Sequence, residues 1–186
     1  MKRYFVQSME NMFAQAVIMA FEAHKGQFRK ESNLPFVIHP LRVSECILAN
    51  WSSHPNLEVM RVAAVLHDTI EDTNITNEDI EKKFGLVIAN IVQEVTAKEY
   101  PSSEEKQKKY LEKLINASDE AKIIKISDIS DNIMDIKNKK GWLSFFKKSK
   151  KILSNIKLRN EKYSVLFEKL KEDLLIEINE YVSDNS

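Results

Sequence analysis

The chain has 186 residues, 43% apolar and 30% charged, with 28 Lys+Arg set against 28 Asp+Glu and no net charge. That composition describes a globular domain able to bury roughly 70% of its unfolded surface, and it gives no overall electrostatic case for nucleic acid as the main ligand. One cysteine, Cys46, excludes an internal disulfide; no apolar run reaches membrane-span length and the first residues are unlike a signal peptide, so the expected location is cytoplasmic, with no membrane partner.

Three glycines and four prolines leave few places to break a helix, and the predicted class is all-α. The first helix carries Val6, Met9, Phe13, Ala16, Val17, Ala20 and His24 on one stripe and stops near Gly26. Residues 27–37 read as a basic, polar loop closed by Pro35. Pro40 suits a first helical turn, so a second helix runs from there to about Trp51. Asn56 is placed to cap a third, apolar helix that continues through His67 and Asp68 and ends at residues 71–73. Thr76 and Asp79 have capping-box spacing and open a short helix ending at Gly85. Residues 86–96 form another helix, with Val87, Ile91, Val92 and Val95 on one face. Pro101 and Ser102 mark a break, and Ser102 with Glu105 suggests a cap for a charged helix around Tyr110, Leu111 and Leu114. Ser118 caps a helix from Ala121 to about Lys137, and Gly141 and Trp142 precede two last helices. The lysine-rich stretch 137–151 reads as a solvated helical surface.

Polar residues planted among apolar ones carry the chemical signal. His67 and Asp68 follow Ala63, Ala64, Val65 and Leu66, where a helix enters the core. In a continuous helix His67 stacks on Glu71 and Asp68 on Asp72. Three acids at one helix C-terminus repel one another and the macrodipole, and a bound cation removes the conflict. His39 sits at a loop-to-helix junction before Pro40, and Asp128 interrupts a second apolar run, with Asn132 one turn later. Two imidazoles and two carboxylates (His39, His67, Asp68 and Asp128) suit Mn²⁺, Fe²⁺, Co²⁺ or Zn²⁺ better than Ca²⁺ or Mg²⁺. Taken one at a time, each has a plain structural reading: a core histidine, a solvated helix end, an Asp128–Lys125 pair. Jointly they require several unconnected buried charges, which is costly without partners. His24 reads as a packed, hydrogen-bonded histidine, His54 as an exposed loop residue, Cys46 as inert core and Trp142 as a helix-start anchor.

Residues 20–30, residues 35–41, residues 63–73, Phe84 with Gly85, Val95 with Thr96, and residues 125–132 occur in order and at the right spacing to resemble the RelA/SpoT hydrolase domain of the His-Asp metal phosphohydrolases. The resemblance spans about residues 10–142, and Gly141-Trp142 is similar to small stand-alone alarmone hydrolases. It implies one HD-domain helical bundle over 1–186, with C-terminal helices in 143–182. The implied activity is metal-dependent, usually Mn²⁺-dependent, removal of the 3′-pyrophosphate of (p)ppGpp, giving GDP or GTP and pyrophosphate. By position, the resemblance makes His39, His67, Asp68 and Asp128 metal ligands and Glu71 with Asp72 the pair that activates water. Arg29, Lys30 and Asn132 become contacts to the guanine nucleotide; a guanidinium and an ammonium beside a metal suit a polyphosphate. The synthetase and regulatory domains of long bifunctional relatives have no room in this length, so hydrolysis without synthesis is implied.

The sequence departs from the family pattern at Phe36, usually Tyr, at Ile129, usually basic, and at Met134, commonly Arg. Ser32-Asn33 replaces a Ser-Gly, and Asn tolerates a left-handed turn. The metal and water machinery is complete while the nucleotide-recognition surface differs. Two alternatives therefore stand beside alarmone hydrolysis: phosphohydrolysis of another nucleotide such as NADPH, or non-catalytic nucleotide sensing.

Overall fold

Residues 2–97, 104–136 and 142–184 are described in the structure, a computed structural model, with side chains from residue 11 onward except that of residue 106. Ten helices follow one another among them: α1 (Lys2–Ala23), α2 (Ile38–Trp51), α3 (Leu57–Leu66), α4 (Thr69–Asp72), α5 (Asn77–Phe84), α6 (Leu86–Val95), α7 (Glu104–Asn116), α8 (Asp119–Asp135), α9 (Leu143–Leu153) and α10 (Glu161–Asp184). The class is all-α; an isolated bridge between Phe28 and Pro35 is the β-type pairing found in the described residues. The side chains of Val6 and Met9, the break at Pro101 and Ser102, the end at Lys137, and Gly141 lie outside what is described. No described helix is long and apolar enough to cross a membrane.

The core forms around α8, which packs on α2, α3, α6 and α10. Ala121, Ile123, Ile124, Ile126, Ile129 and Ile133 are buried along it, each isoleucine contributing about 1.5–3 kcal/mol by leaving water. The same helix carries acids inward as well: Asp128, Asp131 and Asp135 are at most 8% exposed. α3 supplies the other wall, with Met60, Val62, Ala63, Ala64, Val65 and Leu66 all at 0% exposure.

Local chemistry sets most boundaries. Thr76 accepts from Asp79 N–H at 3.2 Å while the Asp79 carboxylate accepts from Thr76 N–H at 3.0 Å, a complete capping box. Ser118 Oγ accepts from Ala121 N–H at 3.2 Å to start α8. Gly85 turns between α5 and α6 at φ 89°, where a side chain would be strained. Asn56 does not cap α3: its side-chain amide donates to Glu120 at 2.7 Å instead. His54 is buried rather than exposed, packed on Tyr163 with centroids 4.5 Å apart, its Nδ1 accepting from Asn56 N–H. Cys46 is half-buried, not core.

The largest departure from the periodic reading is in the third helix, which ends at Leu66 rather than near residue 72. His67 Nδ1 takes the Ala64 carbonyl at 2.7 Å and Thr69 Oγ1 takes the Leu66 carbonyl at 2.7 Å. Side chains thus claim oxygens that the next turn needs, and α4 begins separately at Thr69. A turn at residues 67–68 separates the two helices. Truncating Ile124 to alanine is expected to cost about 2–5 kcal/mol of unfolding free energy, measured by urea titration.

Candidate metal centre

Two helix ends and one helix interior bring the central residues together. His39 stands in the first turn of α2, beside Pro40, with its backbone N–H on the Phe36 carbonyl at 2.9 Å. His67 closes α3, Asp68 precedes α4, and Asp128 lies midway along α8. The two imidazoles meet edge to face with centroids 5.2 Å apart. Asp128 Oδ1 lies 3.1 Å from His39 Nε2 and 3.7 Å from His67 Nε2. One ligand atom from each of His39, His67 and Asp128 falls within 4.8 Å of the others. Asp68 stands outside that compact group but touches both rings, with Oδ1 3.1 Å from His67 Nε2 and Oδ2 3.5 Å from His39 Nε2.

These residues fit a divalent cation. Both rings have Nδ1 engaged, His67 by the Ala64 carbonyl and His39 by Asp131 at 2.6 Å. A neutral imidazole donating from Nδ1 leaves its Nε2 lone pair for the centre. His67 Nε2 is buried and makes no hydrogen bond, despite the carboxylates near it. A mixed set of imidazoles and carboxylates around such an orphaned nitrogen suits a transition-metal ion.

The metal-free electrostatics reflect this crowding. Burial pulls the His39 imidazole down, but the Asp128 and Asp131 carboxylates outweigh it and hold it up at about 9. His67 is likewise raised, by Asp68 and Asp128 against burial. Burial penalises the Asp128 carboxylate, yet Lys125, His39 and His67 hold it well below the usual carboxylate range.

Glu71 and Asp72 flank the centre differently. Glu71 Oε2 accepts from Ala97 N–H at 2.8 Å, just beyond the end of α6. Asp72 stays exposed at the rim, yet partial burial, Asp68 and Glu71 push its carboxyl up to about 6.

Arg29 links the first loop to α8, donating from Nε to Asp135 at 2.9 Å and from Nη2 to Asn132 Oδ1 at 2.7 Å. Asn132 in turn donates to Asp128 Oδ1 at 2.6 Å, so it joins the loop to the centre. Asn33 adopts φ 56° in the tip of this loop. Trp142 precedes α9 and ties the loop from the far side, its Nε1 donating to Glu31 at 3.1 Å. Between them lies a cavity of about 190 Å³, lined among others by Arg29, Lys30, Phe36, Asn132 and Trp142. Phe36 stacks on His24, centroids 4.7 Å apart, and lies 5.7 Å beneath the Arg29 guanidinium. Ile129 is buried at 2% exposure and Met134 lies out in solvent at 80%, and both side chains are uncharged.

Three further residues shape the site and escaped the sequence reading. Asp131 and Asp135 continue the Asp128–Asn132 stripe along α8, and Arg42 lies one turn after His39; that spacing was the available signal. Lys125 Nζ is 2.7 Å from Asp128 Oδ2, and against the cost of burial the Asp128 carboxylate holds it well above the usual lysine value. The Asp128–Lys125 pair thus forms through one oxygen while the other faces the imidazoles. Lys148, in the stretch read as solvated surface, is exposed as are Lys147, Lys150 and Lys151, and its Nζ lies 5.4 Å from the Tyr110 ring.

A family model described as HD domain matches residues 16–141. The Xenopus tropicalis protein named guanosine-3′,5′-bis(diphosphate) 3′-pyrophosphohydrolase MESH1 is 37% identical over 134 residues, 70% of this chain and 74% of the relative. The Drosophila melanogaster protein of the same name is 31% identical over 156 residues, 80% and 86% of the two chains. A solved structure described as a metazoan orthologue of SpoT that hydrolyses ppGpp and plays a role in starvation responses superposes with a TM-score of 0.72 at 28% identity, covering 87% of this chain and 94% of that one. For the centre itself, His67→Ala is expected to abolish retention of Mn²⁺ while Arg29→Ala keeps it, as read by equilibrium dialysis with metal analysis.

Proposed function

The chain belongs to the HD domain family, and from that premise we propose that it is a Mn²⁺-dependent hydrolase removing the 3′-pyrophosphate of guanosine 3′,5′-bis(diphosphate) and its triphosphate counterpart. The observation that carries the reading is the buried convergence of His39, His67 and Asp128 on one point, with Asp68 against both rings. The named activity of its relatives supports the choice of substrate. Residues 1–186 are read as one HD phosphohydrolase domain, acting in the cytoplasm, with α10 packed on α8 and α9 as part of the same body.

His39, His67, Asp68 and Asp128 would hold the cation. When bound, it supplies Lewis acidity toward a phosphoryl oxygen and makes nearby water a stronger acid. The chain's own residues do the rest. Asp72, raised toward neutrality, accepts the proton of the attacking water, and Glu71, fixed on the Ala97 amide, stands beside it. The water oxygen joins the phosphorus attached to the ribose 3′-oxygen. The bond between them breaks, and the 3′-oxygen takes up a proton to leave GDP and free pyrophosphate. Arg29 and Lys30 meet the nucleotide's anionic groups at the cavity wall, and Asn132 holds Arg29 in register with Asp128.

A panel containing ppGpp and NADPH, assayed for pyrophosphate and phosphate release, tests the substrate assignment. GDP with pyrophosphate is the expected product; phosphate from NADPH with ppGpp left intact would overturn it. Asp72→Asn is expected to keep Mn²⁺ and lose about 10²–10⁴-fold in kcat, seen in steady-state kinetics with metal analysis. Because Asp72 must be ionised to act, turnover should fall as pH drops through the titration of its carboxyl, which burial, Asp68 and Glu71 push up to about 6 in the metal-free protein. The positive charge of a bound cation moves that limb lower, and a kcat–pH profile locates it.

A further inference from the structure

Asp131 takes no part in the reaction just described, yet it lies 6% exposed beneath the centre. Both of its oxygens are engaged. Oδ2 meets His39 Nδ1 at 2.6 Å. Arg42 grips the same carboxylate from the other side, Nε to Oδ1 at 2.6 Å and Nη2 to Oδ2 at 3.0 Å. Arg42 also reaches Asp135 at 3.4 Å, the acid that anchors Arg29.

A plain structural reading makes this a salt bridge that ties α2 to α8. The bridge accounts for Arg42 but not for the aim of Oδ2, which is shared with an imidazole whose other nitrogen faces Asp128 and Asp68. The two imidazoles also have unequal partners: His67 Nδ1 meets a neutral carbonyl, whereas His39 Nδ1 meets an anion. A carboxylate on Nδ1 fixes the tautomer and ring angle, and it makes Nε2 a stronger donor to a metal.

We propose that Asp131 is a positioning residue for the metal centre, clamped by Arg42 so that its carboxylate orients His39 and strengthens it as a ligand. The inference rests on His39 being a ligand, as in the proposed function. It makes His39 the dominant imidazole in metal affinity, and it runs a continuous chain of contacts from the centre through Asp131, Arg42 and Asp135 to Arg29.

Calorimetric titration of Mn²⁺ into the intact chain, D131N, D131A and H39A tests it, with thermal unfolding of each metal-free protein as the control for folding. D131A is expected to bind about 10–100-fold more weakly than the parent. D131N, whose amide oxygen still accepts from Nδ1, should fall between them. Unchanged Mn²⁺ affinity in both variants, with only a lower unfolding midpoint, would leave a structural salt bridge and overturn the inference alone. Unchanged affinity in H39A would overturn the ligand reading and the inference with it. Should D131A fail to fold, D131N decides by the same criterion, a loss supporting the assignment and parent affinity rejecting it.

Discussion

A carboxylate buried in the middle of an isoleucine-rich helix governs this molecule. Asp128 sits among Ile123, Ile124, Ile126 and Ile129, where an unpaired charge costs several kcal/mol. The fold answers with Lys125 on one oxygen and with Asn132 and two imidazoles on the other. The same pattern repeats along α8: Asp131 receives His39 and Arg42, and Asp135 receives Arg29 and Arg42. Each acid that the apolar stripe carries inward is met by donors from α2 or from the loop before it. The crossing of α8 with α2 and α3 therefore creates the core and the charged centre at once, and the centre's surplus of carboxylates is what gives a divalent cation a place.

The proposed metal centre and the proposed nucleotide contacts are built on different supports. His39, His67 and Asp128 stand on helix ends or helix interiors, with their orientations fixed by Asp131, the Ala64 carbonyl and Lys125. Arg29 and Lys30 stand on a loop that reaches α8 through side chains. The departures from the family pattern follow that division. Ile129 has moved into the core and Met134 into solvent, while Asn132 still bridges loop and centre. In the proposed reaction, differences at these positions would bear on which nucleotide is held more than on how the bond from the ribose 3′-oxygen to phosphorus is cut.

What the sequence made legible was local or periodic. Glycine and proline scarcity pointed to helices, and the caps at Thr76 and Ser118 form as their spacing implies, because a cap needs only neighbours in the chain. The likeness of ordered motifs singled out His39, His67, Asp68 and Asp128, which the fold does gather in one place. Harder to read was whatever depends on competition or on distant partners. Periodicity runs straight through His67-Asp68 because it counts apolar positions and ignores the two side chains that take carbonyls from the helix. Asn56 had a cap's identity, but Glu120 lies closer to its amide. His54 lies between Ser53 and Pro55 and has a loop's neighbours in sequence, yet it packs under Tyr163 from α10. Asp131, Asp135 and Arg42 gain meaning only once α2 and α8 are set against one another.

Anomalous diffraction from crystals of the protein grown with Mn²⁺ tests the central claim most directly. A single strong peak within bonding distance of His39 Nε2, His67 Nε2 and an Asp128 oxygen is the predicted result. A peak elsewhere on the surface, with none among those three side chains, would contradict it.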